Sequence, residues 1–198
     1  NSYSQRYIIA YNGEIYNHLD IRKEINKTKN ILWKGTSDTE TLINSLEIIG
    51  IEKTLQICNG VFSFVLWDKK EKKLFLARDK LGEKPLYYGF NNSIFYFGSD
   101  LSPLKYSKFF SPEINHQSLK LYFNMNYIPA PYSIYKNIYK LEPGKYLSVS
   151  SKNQNLEPIS YWSFKNSNFK NFKITDTIDY FKNKIENSVK NQTISDVP

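Results

Sequence analysis

Residues 61–67, Val-Phe-Ser-Phe-Val-Leu-Trp, constrain the fold of this chain more than any other stretch. Apolar side chains fall on both alternating positions, so a strand here would have to be covered on both faces. Covering one face needs helices or a second sheet, and covering both needs a layered domain. The surroundings offer such layers. Tyr7–Tyr11 is a short apolar run ending in Asn12-Gly13, which reads as a strand entering a tight turn. Asn17–Lys27 can form an amphipathic helix with Leu19, Ile21 and Ile25 inward. Ser37 and Glu40 stand in capping-box spacing ahead of the stripe Leu42, Leu46, Ile49, and Gly50 ends that helix.

After the central strand, the charged turn Asp68–Lys73 leads into Leu74–Ala77. Pro85–Gly89 and Ile94–Gly98 then pair across Asn91-Asn92. Four short strands in this order read as an antiparallel meander, and helices over such strands give an α+β sandwich. Leu101–Pro112 reads as a boundary. Beyond it come a helix around Ile114–Tyr127, a proline-punctuated extended stretch Tyr127–Tyr135, a strand at Lys145–Val149 and a helix on Ile174, Ile178, Phe181, Ile185 and Val189. With 198 residues, 40% of them hydrophobic, the chain can bury a sizeable core, which excludes wholesale disorder. No uncharged run is long and apolar enough for a spanning helix, so no membrane partner is expected.

Basic residues outnumber acidic ones 27 to 19, a net charge of +8 that invites a nucleic-acid reading. Only Arg6, Arg22 and Arg78 are arginine, however, and the lysines are scattered. Lysine is the poorer bidentate reader of phosphate and guanine. Compositional drift explains the charge better, and nucleic acid is not expected as a partner.

Few residues carry chemistry on their own. Neither His18 nor His116 has an HExxH neighbourhood, and each reads as a surface or capping residue. Cys58 precedes the buried strand and reads as a small core residue. The lone cysteine excludes a disulfide framework and a cysteine-based zinc site, and no metal site is expected. Asp68, Asp79 and Asp100 read as turn residues, and Arg78-Asp79 as a structural pair ordering the turn Lys80–Lys84. Seven aromatics between Tyr122 and Tyr146 read as helix core and domain packing. Asn12-Gly13 is the exception: a side-chain NH₂ and a backbone N–H can converge as an oxyanion hole, although such a pair is also an ordinary turn.

Several segments together resemble one family. Asn12-Gly13-Glu14-Ile15-Tyr16-Asn17, Gly35-Thr36-Ser37-Asp38-Thr39-Glu40, Gly60–Phe64 with Trp67-Asp68, and Ala77–Tyr88 are similar in order to the glutaminase domain of asparagine synthetases. These are class II, N-terminal-nucleophile glutamine amidotransferases. Tyr127-Ile128-Pro129-Ala130-Pro131, Lys140-Leu141-Glu142-Pro143-Gly144 and Tyr161-Trp162 resemble the entry to their synthetase domain, and Ser195–Pro198 the residues before its pyrophosphate loop.

The resemblance implies a four-layer αββα sandwich lacking its first strands over residues 1–108. Residues 109–198 would then be the linker and the start of an α/β adenine-nucleotide α-hydrolase-like synthetase domain. By the same resemblance an N-terminal cysteine hydrolyses glutamine. Asn12 and the Gly13 N–H would stabilise the oxyanion, while Glu14 and Asp38 would help to hold the two ends of the substrate. Without the resemblance, Asp38 reads as helix-dipole charge and Glu14 as a turn-exposed acid.

Neither that cysteine nor the ATP loop is among these residues, so a fragment inactive by itself is expected. The implied parent is cytoplasmic and uses glutamine, aspartate and ATP with Mg²⁺, with a homodimer left open. Rival parents are an amidotransferase of the same build acting on a surface-sugar or antibiotic precursor, a phosphosugar or phosphoribosyl amidotransferase, and a non-enzymatic basic module that binds RNA or protein.

Overall fold

The computed structural model describes residues 1–164 and 174–193, with side chains in the last helix from residue 177 onward. Its elements run β1 (Tyr7–Ile15), α1 (His18–Thr28), α2 (Asp38–Ile48), α3 (Ile51–Ile57), β2 (Gly60–Asp68), β3 (Lys73–Arg78), β4 (Tyr87–Asn91) and β5 (Ile94–Gly98). A 3-10 turn at Ser102–Tyr106 follows, then α4 (His116–Met125), β6 (Ile138–Lys140), β7 (Lys145–Ser150), β8 (Ile159–Ser160) and α5 (Ile174–Gln192). The resemblance to a pyrophosphate-loop approach at Ser195–Pro198 lies outside the described residues.

The strands form two sheets: β1-β2-β3-β7-β8 and β5-β4-β6. Phe62 to Leu66 of β2 are buried on both faces, as the run of apolar residues requires. On one side Phe62, Phe64 and Leu66 pack with Ile21 and Ile25 of α1 and Leu42, Ile43 and Leu46 of α2. On the other, Val65, Leu76, Leu147 and Val149 meet Leu86, Tyr88 and Leu141. The outer face of the smaller sheet is closed by Leu104, Phe110, Tyr135 and Ile138. The result is the expected α+β sandwich.

The meander reading needs correction. β2–β3 and β4–β5 are both antiparallel hairpins, yet they lie in different sheets. The turn between β3 and β4 carries the chain across. Asp79 is buried there, and its carboxylate accepts the backbone N–H groups of Leu81 (3.1 Å), Gly82 (2.6 Å), Glu83 (3.0 Å), Lys84 (3.0 Å) and Phe62 (3.3 Å). Arg78 takes the opposite polarity, donating to the carbonyls of Lys84, Leu141 and Gly82. The two side chains therefore order Lys80–Lys84 as expected, each through the backbone.

Strands on both sides of residue 108 share the sheets. β6 pairs with β4, and β7 pairs with β3 through Leu76↔Leu147 and its neighbours. Beyond β8, among the described residues, only α5 adds regular structure. Ile178, Phe181, Ile185 and Val189 of α5 are exposed.

Three smaller expectations also change. Leu19 is exposed, and only Ile21 and Ile25 anchor α1. Asn91 pairs with Ile94, so the hairpin turn is Asn92-Ser93, both residues at positive φ, one position later than expected. Of the seven aromatics from Tyr122 to Tyr146, five (Tyr122, Phe123, Tyr127, Tyr132 and Tyr139) are exposed, and α4, which carries the first two, buries only Ser118. No helix among the described residues is long and apolar enough to cross a membrane.

Candidate active site

Asn12 and Gly13 do not form a turn. β1 runs straight through them to Ile15, with Asn12 opposite Ser63 and Gly13 opposite Phe62. Glycine is needed because the strands approach very closely. Gly13 has φ +151°, and a Cβ there would stand 2.1 Å from the Val61 carbonyl oxygen and 2.5 Å from Phe62 Cα. No L side chain fits that space without separating β1 from β2.

The direction of the Gly13 N–H follows from its neighbours. In an antiparallel ladder, alternate residues point their backbone groups to opposite sides. Tyr7 exchanges both backbone groups with Ser2, and the Ile15 N–H donates to Asp38 Oδ2 at 2.9 Å. Both contacts lie on the side away from β2. Phe62, facing Gly13, spends its own N–H and C=O on Asp79. The Gly13 N–H therefore points outward from the edge of the sheet, free of the ladder.

Asn12 sits beside it on the face turned toward the smaller sheet. Its Nδ2 donates to Ser99 Oγ at 3.2 Å. Asn12, Ser63, Leu86, Phe97 and Ser99 border a cavity of about 190 Å³ between the middle of β1 and the end of β5. The Asn12 amide thus borders this slot, and the Gly13 N–H follows it in the chain at the sheet edge; a pair of N–H donors of this kind can polarise a carbonyl oxygen.

Asp38 reaches the same strand from the helical layer. Ser37 caps α2 by accepting from the Glu40 N–H at 3.3 Å, which leaves Asp38 as the first helical residue. Its Oδ2 accepts from Tyr11 OH at 2.7 Å as well as from Ile15 N–H. Burial first, and then the bond to Asp38, push the Tyr11 phenol far above its ordinary range, so it stays a donor. Glu14 is half-buried between Gly13 and Ile15. Asn12, Gly13 and Glu14 thus follow one another near the end of β1, and Asp38, at the start of α2, bonds the next residue of the strand, Ile15.

The glutamine amidotransferase domain, as a family, matches residues 1–162. The chain belongs to this family. Asparagine synthetase [glutamine-hydrolyzing] 3 of Bacillus subtilis is 33% identical over 193 residues, covering 97% of this chain and 31% of that protein. Asparagine synthetase [glutamine-hydrolyzing] 1 of the same organism is 30% identical over 196 residues, 98% of this chain and 30% of that one. The chain thus spans about three-tenths of the length of these relatives. Among solved structures, the glutamine phosphoribosylpyrophosphate amidotransferase of B. subtilis superposes with a TM-score of 0.52 at 17% identity, covering 79% of this chain and 29% of its own. That likeness carries the fold, an α+β sandwich.

Within this amidotransferase domain, Cys58 is a core residue. It is 1% exposed, and burial, which outweighs the nearby Lys80, pushes its thiol up to about 12. A thiol so held is protonated at neutral pH and unreactive. His18 is half-buried and His116 exposed, each at the start of its helix. Among the described residues, no cluster of three His, Cys, Asp or Glu side chains could hold a metal ion.

Two supporting residues were not singled out in the sequence. Tyr11 lies on the helix-facing side of β1. Arg22 of α1 donates to Thr41 Oγ1 (2.6 Å), Gly35 O (2.8 Å) and Ser37 O (2.8 Å), stacks on Trp33 and lies 3.7 Å from Glu40. Glu40 in turn accepts from the N–H groups of Lys34 and Gly35 rather than closing the capping box. Arg22 and Glu40 together clamp the loop that delivers Asp38. Its one sequence signal is rarity: arginine occurs three times in a chain that otherwise uses lysine.

Proposed function

We propose that this sandwich is the glutaminase unit of a glutamine-dependent asparagine synthetase. It would release ammonia from glutamine for the ATP-dependent amidation of aspartate. The outward Gly13 N–H beside the Asn12 amide is the observation that carries the reading. In it, these two donors meet the carbonyl oxygen as it becomes an oxyanion, where each well-placed donor is worth about 3–4 kcal/mol. Asp38 offers its remaining carboxylate oxygen to the substrate ammonium, and Glu14 borders the same end of the strand. Since Cys58 is buried and inert, the attacking thiolate in this reading comes from outside these 198 residues. The same holds for the ATP and Mg²⁺ site.

The unit boundary is part of the proposal. Because β6, β7 and β8 complete the two sheets, we place the end of the glutaminase unit near Trp162 instead of at residue 108. The linker and the lead-in to the synthetase domain then begin after it.

The test is glutamate release from L-glutamine by the full-length natural polypeptide. Asn12→Ala should lower that rate by about 10²–10³ while leaving asparagine formation from free ammonia intact. An unchanged glutaminase rate would remove Asn12 from the oxyanion role, and loss of both activities together would mean that Asn12 is structural.

A further inference from the structure

The carboxylate of Asp38 is held asymmetrically. Oδ2 accepts two good hydrogen bonds, from Tyr11 OH at 2.7 Å and Ile15 N at 2.9 Å. A carboxylate oxygen has about two lone-pair sites, so these two bonds fill the ordinary capacity of Oδ2. Oδ1 carries, among the described residues, only the Thr39 hydroxyl at 3.3 Å. The torsion that turns a carboxylate is soft and roughly two-fold, so packing alone does not fix which oxygen faces which way. Ile15 N belongs to the strand and cannot be adjusted separately. Among the described residues Tyr11 is the one side chain bonded to Oδ2, and it stands two residues before Gly13 on the same strand.

We propose that Tyr11 is a positioning residue for substrate selection: by bonding Oδ2 of Asp38 it presents Oδ1 to the α-ammonium of glutamine, and so favours an α-amino-acid amide over the same amide without the amino group. The inference rests on the glutamine-binding role given to Asp38 above. Tyr11 does not touch substrate. Its effect is confined to how well one oxygen is aimed. It also couples the two halves of the site, since the strand that carries the oxyanion donors supplies the hydroxyl that sets the ammonium acceptor.

The experiment compares KM for L-glutamine with the inhibition constant of glutaric acid monoamide, which is glutamine lacking its α-amino group, on the full-length natural polypeptide. Tyr11→Phe keeps the ring and removes one hydrogen bond. It should raise KM for glutamine about tenfold with kcat little changed, and leave the monoamide constant where it was. The selectivity ratio then falls about tenfold. Thr39→Ala removes only the long contact to Oδ1 and should leave the ratio intact.

An unchanged ratio in Tyr11→Phe, or an equal loss of affinity for both compounds, would overturn the inference and leave the role of Asp38 standing. A tenfold fall in Thr39→Ala with Tyr11 present would overturn it too, because Tyr11 would then not suffice to aim the carboxylate. If the native protein itself fails to distinguish the two compounds, the role of Asp38 is wrong and the inference falls with it.

Discussion

Replacing Asp79 with asparagine should cost this fold about 3–5 kcal/mol, and the geometry says why an almost isosteric change is so expensive. Oδ1 accepts from Leu81, Gly82 and Glu83, while Oδ2 accepts from Phe62 and Lys84. All five donors are backbone N–H groups, so an amide NH₂ has nothing to donate to. In the better rotamer the asparagine carbonyl keeps the trio and its NH₂ opposes two N–H groups. Two charge-assisted bonds at about 1.5–3 kcal/mol each are then lost. Asp79 is 1% exposed, so water does not readily replace them. Urea unfolding followed by far-ultraviolet circular dichroism is the assay. At a slope of about 2–3 kcal/mol per molar, the midpoint should drop by about 1.5 M with the slope preserved. A midpoint within about 0.3 M of native would mean that the crossover turn does not depend on this carboxylate, and the account of how the two hairpins are sent to different sheets would fail.

Gly13→Ala should destabilise by about 2–4 kcal/mol, lowering the melting temperature by roughly 5–15 °C, since its Cβ would collide with the β2 backbone. A melt within about 2 °C of native would show that β1 and β2 do not approach as described. Acid stability should follow Asp68. Burial pushes this carboxyl up, but Arg6 and the N–H groups of Lys70 and Glu71 together hold it below its usual range. A depressed folded pKa gives stability that is complete above the unfolded value of about 3.9 and is lost as pH falls through the folded value. Arg6→Gln should therefore cost about 1–2 kcal/mol at pH 7, the solvent-exposed Arg6 end keeping the loss modest, and the gap should close in acid. A gap constant from neutral pH down to about pH 2 would contradict this.

The layered architecture was legible because a strand such as β2, with apolar residues on both faces, admits few alternatives. The division of the meander was not. Alternation gives each strand but not its sheet, and the deciding feature is an aspartate whose ligands are backbone amides, invisible in a residue pattern. Asn12-Gly13 was singled out as a candidate donor pair but given the wrong local conformation. Asn-Gly signals a turn only when the chain reverses there. Here glycine serves a close strand crossing, and the reversal comes after Ile15. Asp38 was placed correctly because the Ser37 cap fixes the helix start, a strictly local rule. Tyr11 and Arg22 act through contacts 27 and up to 19 residues away, and no spacing rule reaches that far. The exposed aromatics of α4 show the opposite error: a helical apolar pattern reports amphipathicity without saying whether a neighbour covers it.

The pairing of β3 with β7 bears on how the chain comes to be folded. Leu76 meets a partner some seventy residues downstream, and until that partner is synthesised β3 has hydrogen-bonding groups open along one edge. At ordinary translation rates that interval lasts roughly 4–14 s, long compared with hairpin formation. The β1–β2–β3 half can associate early with its helices, but its edge stays available to other chains until β7 arrives. For this sandwich the hazardous moment is set by the clock of synthesis, and a pause between residues 80 and 145 would be the place to look for aggregation.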